Sequence, residues 1–136
     1  MFNQLNLVVR DIDAATDFYS RLGVQFADRR PDHRNATNTG RFDFDLDSRT
    51  LARVWNSGAA DASTVVIGFG LASREEVDRL CADLAAAGYR VQQRPYDAFW
   101  GARYAIVADP DGNDVGIMSP LDDSKRSWPP VESPSR

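Results

Sequence analysis

Few side chains in this 136-residue chain can do covalent or proton-transfer chemistry: it has one histidine and one cysteine. His33 lies in the run Arg29-Arg-Pro-Asp-His-Arg-Asn-Ala-Thr-Asn-Thr-Gly40, which lacks a hydrophobic period and consists of turn formers and charge. The run is expected to be a long loop, a lid or a mobile segment, carrying a solvated histidine. Cys81 shares a helical apolar stripe with Val77, Leu80 and Leu84, so it reads as a small buried hydrophobe and not as a nucleophile. Such a pair on unrelated elements makes no nucleophile–base arrangement. Asp43, Asp45 and Asp114 could offer oxygens to a hard cation. The first two alternate with Phe42, Phe44 and Leu46, however, and read as the outward face of a strand, while Asp114 reads as part of a polar turn. What remains is a set of rings. Phe99-Trp100-Gly101 places two of them on a predicted loop, where hairpin formation does not call for them.

The elements that must hold these residues can be read from period and turn chemistry. Gln4 to Val9 suits a strand, and Asp11 or Asp13 can cap a helix whose stripe is Ala15, Phe18, Tyr19 and Leu22, stopped by Gly23. Short strands are expected at Val24 to Ala27, Arg41 to Leu46 and Thr50 to Trp55. Asn56 to Ala62 is small and polar and reads as a linker. A second round follows: a strand from Ser63 to Gly70, a helix opened by the capping-box spacing Ser73 to Glu76 and closed by Gly88, and a strand from Tyr89 to Pro95. Arg103 to Ala108 and Val115 to Met118 flank Asp109-Pro-Asp-Gly-Asn113, a β-hairpin signal in which proline presets φ and Gly112 takes the positive φ. Strand, helix and three strands thus occur twice, as modules over about 1–56 and 63–120. Each is too small to bury its own core, so the two should pack side by side. Residues 121–136 are rich in Asp, Ser and Pro and read as a tail, with Trp128 as its one large ring.

Composition narrows the partners. A net charge of −4 gives no reason to expect binding to nucleic acid or acidic membranes, and no apolar run approaches a membrane span. One cysteine excludes an internal disulfide and favours a reducing compartment; with no signal-peptide pattern at the N-terminus, a cytoplasmic protein is expected.

The closing stretch, with Trp100-Gly101, Asp109-Pro-Asp-Gly-Asn113 and the small strand after it, resembles the C-terminal signature of the vicinal-oxygen-chelate superfamily, the glyoxalase/bleomycin-resistance/dioxygenase family. The opening stretch Leu5 to Gly23, with Phe18-Tyr19 and Leu22-Gly23, is similar to that family's first strand and helix. The resemblance spans roughly Phe2 to Pro120. It implies an α+β fold of two fused βαβββ modules, a curved half-barrel-like mixed sheet with helices outside, in a single domain over 1–120. It also implies a metal site in those members that are metalloenzymes, with one ligand from each of four strands. The matching positions here are Gln4, the neighbourhood of Ala52 to Val54, Thr64 or Val66, and Gly116; together they cannot grip a catalytic divalent ion, so neither metal nor other cofactor is expected.

The same resemblance places Phe42, Phe44, Trp55, Phe99, Trp100, Tyr104 and Met118 around a concave cavity. Gln4, Arg53, Arg103, Asp43 and Asp97 are available for polar contacts, or else for solvated surface. Small-molecule sites are built this way, from rings with a few placed polar groups. Phe42 and Phe44 instead become packing residues if their face meets the helices. The expectation is a metal-independent binding protein of the bleomycin-resistance type, a homodimer that sequesters an aromatic or cationic natural product. The alternative is an enzyme of the superfamily: a lyase, isomerase or dioxygenase, or a metal-free catalyst.

Overall fold

A computed structural model describes residues 1–58 and 64–127, with the side chains of Asp28 and Arg29 left aside. Most of the 121–136 segment expected as a tail, Trp128 included, and most of the 56–62 linker lie outside the described residues. The element order is β1 (Phe2–Val9), α1 (Ile12–Arg21), β2 (Phe26–Arg30), β3 (His33–Ala36), β4 (Asp43–Ser48), α2 (Arg49–Trp55), β5 (Val65–Gly70), α3 (Arg74–Ala86), β6 (Val91–Asp97), β7 (Arg103–Ala108) and β8 (Asp114–Met118). The eight strands form one open mixed sheet in the order β2-β3-β4-β1-β5-β8-β7-β6. In each module the first strand pairs in parallel with the last, β1 with β4 and β5 with β8. An antiparallel seam between β1 and β5 joins the modules. This is the expected α+β architecture of two βαβββ units.

Local chemistry explains the ends of the helices. The Asp11 side chain accepts from Ala14 N and starts α1. Ser73 Oγ accepts from Glu76 N and caps α3, while Glu76 Oε1 reaches one residue past the cap to accept from Ala72 N, a variant of the expected capping box. The β7–β8 turn closes with Gly112 at φ 86° and with Asp109 Oδ1 accepting from Asp111 N and Asn113 N.

Two elements of the first module differ from expectation. The segment expected as a long loop folds into β3, hydrogen-bonded between β2 and β4, and His33 stands on it. Thr50 to Trp55, expected as a strand, belongs to α2. There Ser48 Oγ caps Leu51 N, and Leu51, Ala52 and Trp55 are buried along one side of the helix. The module keeps three strands after its helix, but the second and third lie earlier in the chain than the turn residues alone suggested.

α1 and α3 cover one face of the sheet. Phe44 packs on Tyr19 of α1 with ring centroids 5.4 Å apart. Val77 and Cys81 of α3 pack on Ala105, Val107 and Ile117. The opposite, inner face receives α2, whose Leu51, Ala52 and Trp55 cluster with Val8, Val66, Tyr104 and Ile106. None of the helices is long and apolar enough to cross a membrane, among the described residues.

Candidate functional site on the inner face

Alternate residues of a strand share a face, so register fixes what the inner face carries. Gln4, Asn6 and Val8 of β1 stand beside Asp43, Asp45 and Asp47 of β4. His33 and Asn35 of β3 stand beside Asp47 and Asp45. Across the seam Gln4 meets Gly68, and Gly68 meets Gly116 of β8. The first-module half is therefore polar and the second-module half is bare at its centre and aromatic at its rim.

Asp43 is exposed, but Asp45 and Asp47 are not an outward face: they are 7% and 2% exposed. Phe44 takes the helix side of β4, against Tyr19 of α1, which sends the alternating aspartates inward. Their charges are met by hydrogen bonds. Asn6 Nδ2 donates to Asp47 Oδ2 at 3.0 Å, and His33 Nδ1 lies 2.5 Å from Asp47 Oδ1. Gln4 Nε2 donates to Asp45 Oδ2 at 3.1 Å, and Asn35 Nδ2 donates to Asp45 Oδ1. Burial pushes the Asp45 carboxyl up to about 6, against the opposing pull of Asn35 and Gln4. Burial alone would lower the His33 pKa. The hydrogen bond and charge of Asp47, helped by the charge of Asp45, outweigh it and leave that pKa raised.

The aromatic half gathers around Tyr104. Its ring meets Trp100 at 5.2 Å, Trp55 at 6.2 Å and Tyr96 at 6.2 Å between centroids, each close to edge-on. Phe99 stands edge-on to Trp100 at 5.0 Å, and Trp100 Nε1 points at Met118 Sδ at 3.1 Å. Tyr96 Oη donates to the Trp55 carbonyl. Burial raises the pKa of both tyrosines, so they remain neutral phenols. Near this wall Asn56 Nδ2 donates to the buried Asp114, while Asn56 Oδ1 is buried with no hydrogen-bond partner among the described residues.

Of the residues singled out from sequence, Trp55, Phe99, Trp100, Tyr104 and Met118 come together on this face, and Gln4 joins the polar half. Phe42 and Phe44 do not: Phe42 packs edge-on to Phe2 at 5.2 Å, and Phe44 lies under α1. Arg53 is on the exposed side of α2. Arg103 is held by Asp78 and Asp97, and Asp97 also by Arg74. Asp78 and Arg103 border an open groove of about 480 Å³ between α3 and the β6 edge, apart from the polar cluster. Asp47, Asn6, Asn35, Asn56 and Tyr96 were not legible from sequence, since strand pairing brings the first three and Tyr96 to this face and Asn56 reaches it from the end of α2.

The family's metal position can be tested on the donors present. Gln4 and Asp45 do adjoin, but Gly68 and Gly116 beside them have no side chain. A Cβ on Gly68 would lie 2.8 Å from Gln4 Cβ, and one on Gly116 would lie 2.6 Å from Tyr104 Oη. The space for two further ligands is taken by neighbours, and no group of three or more His, Cys, Asp or Glu among the described residues could hold an ion. Ala52 to Val54, matched from sequence, lie on α2 instead, and Asp45 and Gly68 take the places beside Gln4 and Gly116; these four do not fit the metal.

This open sheet of paired βαβββ modules, with α2 on its inner face, defines a class. The chain belongs to the Glyoxalase/Bleomycin resistance protein/Dioxygenase superfamily, whose pattern matches residues 1–117. Solved structures share the fold at low identity. A protein from Legionella pneumophila, reported as an NAD-dependent benzaldehyde dehydrogenase, is 18% identical with a TM-score of 0.65, over 88% of this chain and 99% of that one. A superfamily member from Vibrio splendidus 12B01 is 18% identical with a TM-score of 0.60, over 85% and 96%. The Mn(II)-bound glyoxalase from Novosphingobium aromaticivorans is 22% identical with a TM-score of 0.59, over 87% of this chain and 37% of that one. No curated protein matches the sequence.

Proposed function

We propose that the chain is a small-molecule-binding protein of the bleomycin-resistance type that captures an aromatic, cationic natural product without a metal. The observation that carries this reading is the meeting of an aromatic wall, Trp55, Tyr96, Trp100 and Tyr104, with buried carboxylates on one face. A flat guest stacked on the wall gains roughly 0.5–1.5 kcal/mol beyond area burial, and a cationic one gains a comparable cation–π contribution. Asp45, Asp47 and Asp114 favour positive charge there, and the unpartnered Asn56 Oδ1 suits an N–H donor. The biological setting would be self-resistance, transport or handling within a biosynthetic route, in a cytoplasmic homodimer. A lyase, isomerase or dioxygenase working through a metal gains no support from the glycines at Gly68 and Gly116, whatever ion a distant neighbour holds.

The test is tryptophan fluorescence titration with a panel of flat antibiotics, cationic and neutral. Saturable quenching by the cationic members is expected, weakened about tenfold by Trp100→Ala, the equivalent of roughly 1.4 kcal/mol. A silent panel removes the proposal, as does a stoichiometric ion bound at Gln4 and Asp45 in the purified protein.

A further inference from the structure

Capture by stacking leaves one constellation unused. Asp47 is 2% exposed and has both oxygens engaged, Oδ1 with His33 Nδ1 at 2.5 Å and Oδ2 with Asn6 Nδ2 at 3.0 Å. A carboxylate pinned in this way fixes the imidazole's orientation. It also keeps the proton of the neutral ring on Nδ1, so that the lone pair sits on Nε2. Nε2 has no hydrogen-bond partner among the described residues, and the His33 side chain is 32% exposed. A purely structural cross-strand tie between β3 and β4 needs neither a free second nitrogen nor access to it.

We infer that His33, oriented by Asp47, is a general base that activates water for hydrolysis of a neutral or cationic aryl ester held on the inner face. The inference rests on that face being the ligand site and adds turnover to capture. Nε2 takes a proton from water as the water oxygen bonds to the ester carbonyl carbon, whose π pair moves to the carbonyl oxygen. The pair returns, the bond to the aryloxy oxygen breaks, and the imidazolium gives its proton to that oxygen. A carboxylic acid and a phenol leave and the imidazole is restored; water is the only co-reactant. An aryloxide is a good leaving group, so activation of water by a single imidazole suffices. Asp43, Asp45 and Asp47 repel an anionic substrate and, once the product acid ionises, expel it. Asp47 is a positioning residue here, and the groups acting on the ring are Asp47 and Asp45 from β4 and Arg30 from β2.

The experiment compares 4-nitrophenyl acetate with anionic mono-4-nitrophenyl succinate on the full chain. Saturable turnover of the acetate is expected, with little of the succinate. The rate should rise with pH and level off above the His33 pKa. His33→Gln should lower kcat by about 10²-fold or more, with KM little changed. Asp47→Asn should lower kcat and move the pH midpoint down, because the imidazolium loses its counter-charge. As His33 is the only histidine, carbethoxylation of the wild-type protein with diethyl pyrocarbonate should abolish the rate, and hydroxylamine should restore it; this arm does not depend on any variant folding. Turnover no faster than with free imidazole overturns the inference, as does turnover that survives carbethoxylation or His33→Gln. Antibiotic quenching retained by His33→Gln would then leave the capture reading standing by itself.

Discussion

Asp45 keeps its proton up to about pH 6 in the folded protein, because burial penalises its charge more than Asn35 and Gln4 relieve it. In the unfolded chain it would ionise near its ordinary value of 3.8. Between those values the folded state binds more protons, so stability should fall as pH rises from about 4 to 6. His33 extends the same trend upward. Its folded pKa is raised above 6.5, so its contribution is full below that value and is lost as pH rises through the folded one. Asp45→Asn should flatten the lower part of this slope in urea unfolding and leave the upper part. An unchanged slope would assign the proton uptake to another group. His33 itself could not be placed from sequence, because β3 is four residues long and its polar run carries no period. Its pairing with Asp47 exists only through the β3–β4 register.

At the scale of elements, α2 is the piece that decides the shape of the site. Its seven residues alternate poorly as a strand but place Leu51, Ala52 and Trp55 together on one side of a helix. The helix closes over Val8, Val66 and Ile106 on the inner face and puts Trp55 against Tyr104. Trp55→Ala should cost about 3–5 kcal/mol, since it removes a buried ring and leaves a cavity; urea unfolding with matched m-values checks this. A loss below about 1 kcal/mol would mean that α2 is not firmly seated. The other local readings, the α3 capping box and the β7–β8 turn, were legible because their hydrogen bonds are made within a few residues.

For the whole molecule, the β1–β5 seam joins two half-cores into one sheet and brings the polar half and the aromatic half onto one surface. The proposed homodimer is tested by sedimentation equilibrium at micromolar concentration. Twice the 15.1 kDa chain mass is expected, and a monomer at all concentrations would withdraw it. The sequence by itself determined the succession of helices and hairpins in the second module, because turn chemistry and apolar period act over a few residues, while the family and the gathering of rings about Trp100 came from the resemblance its motifs carry. Only the tertiary structure decided which aspartates turn inward, that Phe42 and Phe44 face away from the ring wall, and that His33 meets Asp47. Those outcomes depend on which face of β4 the helices cover and on the register between strands, and neither is written in any short stretch of chain.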